Sequence, residues 1–134
     1  MRELTSHRVN GLNAALRISV QDVPGLDNAC HRYDITGFDT EENPSAILPD
    51  GYKASFSRLV VVFQNGLIQE VGVTGVSNEA LLAIVEDRLV GFQSGQYACR
   101  ENEFALARLQ EAMMWLQNRT RDRMVRGVEG TNQV

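Results

Sequence analysis

Leu106, Leu109, Met113 and Leu116 recur three and four residues apart, the spacing that lines one side of an α-helix. Arg119, Arg123 and Arg126 follow at the same spacing and carry the stripe on as guanidinium groups, and Gly127 suits a left-handed cap after the last turn. A second amphipathic stretch precedes it. Ser77 is a good N-cap, Asn78 and Glu79 place polar and negative groups in the first turn, and Leu81, Leu82, Ile84, Val85, Leu89 and Phe92 form a wide apolar stripe. Gly91 weakens that helix near its end and Gly95 closes it. The connection over residues 96–99 is short, so the two helices are expected to pair antiparallel.

Upstream the period changes. Residues 56–63 (FSRLVVVF) are rich in β-branched and aromatic side chains, Asn65-Gly66 suits a type I′ hairpin turn, and residues 67–73 are expected to return antiparallel. Residues 29–38 (ACHRYDITGF) suit a strand, and residues 39–51 collect Asn43-Pro44, Pro49 and Asp50-Gly51 into a loop. Residues 1–28 carry only a short apolar stretch around 14–20 and a Pro24-Gly25 turn. The expected fold is α+β: an antiparallel β region over about residues 1–75, a long helical hairpin over about 77–126 and a tail at 127–134.

Composition narrows the partners. A chain of 134 residues with 43% hydrophobic content is expected to fold as one soluble domain. Its formal charge of −4 argues against a DNA-coating protein, which needs a broad basic surface. No apolar run is long enough to span a membrane, and the N-terminus lacks the apolar core of a signal peptide, so an intracellular protein is expected. Cys30 and Cys99 are too few for a disulfide framework and are expected to be free thiols. Of the 13 basic residues Lys53 is the only lysine. Arginine's planar fork binds phosphate oxygens in pairs and stacks on flat rings, which an ammonium cannot do. Helix-dipole complementarity accounts equally for arginines near a helix C-terminus.

Catalysis finds little support. His7 is followed by Arg8-Val9 and His31 by Arg32-Tyr33, so neither fits the pattern that a two-histidine cleavage of cyclic nucleotides needs, an aliphatic hydroxyl residue two positions on. Neither clustered His and carboxylate metal ligands nor a phosphate-binding glycine loop stands out, and no cofactor is expected.

Several short segments, in order, carry a resemblance: FQNG (63–66), GVTGVSNEALLAIVEDRL (72–89), FQSG (92–95), CREN (99–102) and EAMMWLQNRTRDRMVRGVEGT (111–131). Together they resemble the helical-hairpin domain shared by phage anti-CBASS and anti-Thoeris nucleotide sponges, nearest to the Thoeris anti-defense branch. RYDITGF (32–38) and DGYKASFSRL (50–59) are similar to the β region that precedes the hairpin in longer members. The resemblance implies a non-enzymatic protein acting in the cytoplasm of the infected bacterial host. Its ligand would be a cyclic nucleotide or a cyclic ADP-ribose isomer such as glycocyclic ADP-ribose, held intact so that the defence effector is never switched on. It also implies a homo-oligomer, a dimer or a higher form such as a hexamer, with pockets between protomers.

Carried over residue by residue, the resemblance implies Phe92 of FQSG as a ring that stacks on a base, Asn102 of CREN as its hydrogen-bonding partner and Arg119 of NRTRDR as a phosphate contact. Arg100, Arg123, Gln64 and Asn65 are secondary candidates. Each residue also has a plain structural explanation. Phe92 ends an apolar stripe, Asn102 can cap the second helix, Asn65 suits the turn by itself, and Arg100 can pair with Glu103 or Phe92. The sequence departs from the family at Gln96-Tyr97-Ala98, where a proline-aromatic pair is common, and at Thr74-Gly75, where asparagine-glycine is common. The competing class is a helical-hairpin module that assembles copies or grips a host protein without a nucleotide, since Met114 and Trp115 fall off the stripe and leave apolar surface.

Overall fold

A computed structural model describes residues 1–127. The chain divides into two compact units, Met1–Phe63 and Gln64–Val134, and the expected tail at 127–134 lies, past residue 127, outside the described residues.

The first unit is a four-stranded antiparallel sheet in the order β1-β2-β3-β4, with β1 Arg2–Leu4, β2 Arg17–Val20, β3 Arg32–Thr36 and β4 Leu59–Val62. A five-residue helix, α1 (Gly11–Ala15), is started by the Asn10 side chain, which accepts from the Asn13 N–H. Directly paired residues share a face, so Val20, Tyr33 and Val61, with Leu4, Ile18 and Ile35, make one side apolar. Glu3, Ser19 and Asp34 stand on the other. The core is small: Val20, Cys30 and Ala54 are the buried apolar side chains among the described residues. Tyr33 and Phe63 meet edge to face at 5.7 Å between centroids. The strand expected over 29–38 is thus confirmed in its middle, while β1, α1 and β2 lie in the stretch whose pattern suggested only a turn. Each is three to five residues long, too short to establish a period.

The loop between β2 and β3 is fastened by side chains. The Asp22 carboxylate accepts the backbone N–H groups of His31 and Arg32. The buried His31 ring lies with Nε2 3.0 Å from Asp27 and Nδ1 3.9 Å from Asp22, the latter nitrogen without a hydrogen-bond partner. Burial pushes the Asp22 carboxyl up, but the N–H groups of Arg32 and His31 and the charge of His31 outweigh it and leave it below the ordinary range. Asp27 is lowered too, first by the Ala29 N–H and then, against burial, by His31. Buried Asp34 sits between the guanidinium groups of Arg32 and Arg58 at 3.2 and 3.5 Å.

The second unit holds α2 (Ile68–Val71), α3 (Asn78–Gln93) and α4 (Arg100–Val125). It corrects the hairpin expected at Asn65-Gly66. A type I′ turn needs positive φ at both central residues, and here Gly66 has φ +105° while Asn65 is not among the positive-φ residues. The Gln64 amide instead clasps the loop: its Nε2 donates to the Gly66 and Gly72 carbonyls, and its Oε1 accepts the Thr74 N–H at 2.8 Å. Residues 67–73 therefore contain a single helical turn ended by Gly72 at φ +73°, and β4 takes its partner from β3.

The helical hairpin follows the sequence closely. Ser77 caps α3 through the Ala80 N–H, as its residue type foretold. The helix stops at Gln93 with Ser94, rather than Gly95, as its C-cap, the Ser94 hydroxyl donating to the Gly91 carbonyl. Gly127 has the expected left-handed φ of +73° behind α4. On α4 the half-buried positions are Asn102, Leu106, Leu109, Met113, Leu116, Thr120 and Arg123, a strict four-three alternation. Glu79, Leu82, Glu86, Leu89 and Gln93 repeat it on α3. The arginine stripe is corrected in one respect. After Leu116 the seam continues through Thr120 to Arg123, so Arg119 and Arg126 lie exposed beside it. Neither helix buries a residue completely.

Candidate functional site

The candidate residues of the hairpin fall at its two ends. At the loop end, Phe92 stands in the last turn of α3 and is 39% exposed, so much of its ring is open to a ligand. The adjacent Gln93 closes the loop with two hydrogen bonds: its Nε2 donates to the Cys99 carbonyl at 3.2 Å and its Oε1 accepts the Cys99 N–H at 3.0 Å. Cys99, not Asn102, is the N-cap of α4; its sulfur accepts the Asn102 N–H at 3.4 Å. That corrects the capping explanation of Asn102. Its side-chain amide is half-buried in the first turn of α4, and no hydrogen bond to it is formed by the described residues. Arg100 pairs with neither Glu103 nor Phe92, but with Glu101 at 3.5 Å, both side chains exposed, a contact of little energetic weight.

The guanidinium over Phe92 belongs to Arg88, with Cζ 5.5 Å from the ring centroid. Sequence reasoning passed over this residue, although its position four before Phe92 is the spacing at which helix side chains meet. Gln93 was likewise read only as part of a motif, because a clasp across a loop depends on where the chain turns back.

Arg119 lies seventeen residues beyond Asn102 on one continuous helix, which at 1.5 Å per residue separates them by about 26 Å. It is exposed and has no ion pair with a described carboxylate. Arg123 is half-buried in the seam and is engaged, and Arg126 pairs with Asp122 at 3.1 Å. A single protomer therefore does not bring Phe92 and Asn102 together with Arg119 around one small molecule. Helix α3 has 16 residues against 26 in α4, so the last turns of α4, which hold the arginines, run past the start of α3. Of the remaining candidates, Gln64 spends its whole amide on the Gly66, Gly72 and Thr74 backbone, and Asn65 is exposed beside it.

A half-exposed aromatic ring bordered by a guanidinium, beside a polar amide at the mouth of a helical hairpin, can hold a planar base, while the arginine end can hold anions. These features make the second unit a helical hairpin with an aromatic and amide end and an arginine end. Residues 57–121 match the family model described as the Acb2/Tad1 hairpin domain. Over 73 residues, 54% of this chain, it is 51% identical to Thoeris anti-defense 1 of Bacillus phage SBSphiJ7. The matched stretch spans about half of that relative's length, 51%.

Proposed function

We propose that this protein is a phage anti-defence sponge that binds a cyclic nucleotide immune signal and holds it without cleavage, so that a Thoeris or CBASS effector stays silent in the cytoplasm of the infected host. The observation that carries this reading is the 51% identity over 73 residues to a relative named for opposing Thoeris defence, together with the family match over residues 57–121, a range that includes Phe92, Asn102 and Arg119. The ligand class is a cyclic ADP-ribose isomer such as glycocyclic ADP-ribose, with cyclic di- and trinucleotides as further candidates. Phe92 stacks on the base and Asn102 bonds its edge, while Arg119 meets phosphate. The two ends of the hairpin serve one ligand only where copies of the chain place the arginine end of one against the loop end of another, or else they serve different ligands. The proposed homo-oligomer supplies the first arrangement.

Calorimetric titration with glycocyclic ADP-ribose, other cyclic ADP-ribose isomers and cyclic oligonucleotides tests this function, each bound ligand being released by heat and weighed by mass spectrometry. Tight binding with the ligand recovered intact is expected. A cleaved product would make the protein an enzyme. No binding across the panel would favour the second reading, an assembly or host-protein-binding module, which the exposure of Trp115 (60%) and Met114 (44%) supports.

A further inference from the structure

Arg88 has no role in the function just proposed, yet its surroundings are unusual. The positions three and four residues away on α3 are Ile84, Val85, Gly91 and Phe92, none of them acidic, so the helix itself offers its charge no partner. The adjacent Glu86 and Asp87 do not pair with it either: no carboxylate among the described residues forms an ion pair with its guanidinium. Arg100 and Arg108, by contrast, pair with Glu101 and Glu111. The charge of Arg88 is set beside the Phe92 ring at 5.5 Å and has no carboxylate partner among the described residues.

We infer that Arg88 is a further anion contact of the Phe92 site, supplied by the same protomer as the ring, meeting a phosphate of a nucleotide whose base lies on the exposed part of the Phe92 ring. The inference rests on the proposed reading of Phe92 as a base platform. Three observations carry it. The Arg88 guanidinium lies near the Phe92 ring without a carboxylate among the described residues, which leaves N–H donors for a pair of phosphate oxygens. A phosphate lies to the side of its base, one sugar away, so the cation that meets it must stand close to the ring. Arg119 of the same chain, about 26 Å along α4 from Asn102, does not, so within one protomer the cation set beside the ring is Arg88.

The test uses the full chain and two probes, glycocyclic ADP-ribose and adenosine, the second having base and sugar without phosphate. Arg88→Gln and Arg88→Lys are titrated beside Phe92→Ala over a range of salt concentrations, with thermal melting to confirm folding. Arg88→Gln should weaken glycocyclic ADP-ribose binding about 10-fold or more and flatten its salt dependence, while leaving adenosine binding unchanged. Arg88→Lys should restore much of the salt dependence. If Phe92→Ala weakens binding but Arg88→Gln changes neither affinity nor salt dependence, the inference fails and the base platform stands. Equal losses for both probes with an unaltered salt dependence would show that Arg88 only props the ring, which also overturns it. If Phe92→Ala itself has no effect, the platform fails and the inference with it.

Discussion

At the residue scale, Phe92, Asn102 and Arg119 were found from ordered motifs, and the structure sorts them by place. Phe92→Ala and Asn102→Ala are expected to weaken ligand binding with little effect on melting, since one side chain is partly exposed and the other donates no structural hydrogen bond. Stacking a base is worth about 1–3 kcal/mol, and calorimetry that finds full affinity in both variants would remove the loop end as a site. Arg119→Ala should cost affinity most at low salt, because an exposed charge is screened as salt rises; a parallel loss at all salt concentrations would argue against a phosphate contact. Arg88 shows the limit of motif reasoning. It stands inside the segment 72–89 with no role attached to it there, and only the ring beside it draws notice.

At the element scale, caps and clasps set the boundaries. Ser77 and Gly127 were legible because capping is a local matter of residue type. The Gln64 clasp was not, because one amide reaches backbone groups of Gly66, Gly72 and Thr74, two to ten residues away. Gln64→Ala should release the loop, raising amide hydrogen exchange at Thr74 and lowering stability by roughly 1–2 kcal/mol. The β2–β3 loop has a distinct pH response. Asp22 and Asp27 have folded-state pKa values below their ordinary one. The stability they contribute is therefore complete above the ordinary aspartate value and is lost as the pH falls through the depressed values. Hydrogen exchange followed into acid should show residues 21–31 opening over that window, and Asp22→Asn should flatten the profile. An identical profile in that variant would assign the acid response to other groups.

At the scale of the whole molecule, the helical hairpin has no completely buried residue, and Ile84, Phe104 and Trp115 are more than half exposed. Apolar surface of that extent is expected to be covered in a homo-oligomer. Sedimentation should give a mass that is a multiple of the 14.9 kDa chain, and Trp115→Glu should lower it if that face assembles; a monomer at all concentrations would leave each end of the hairpin to act alone. The sequence by itself determined the two helices, the Ser77 and Gly127 caps and the antiparallel hairpin, because these depend on neighbours within a turn or two of the same helix. It did not determine the partner of β4, the turn at Asn65-Gly66 or the drift of the helix seam from Leu116 to Thr120 and Arg123. Only the tertiary structure decided those, since strand pairing and side-chain clasps join residues far apart in the chain. It also set Arg119 far from Asn102, because a rigid helix converts separation in sequence into distance.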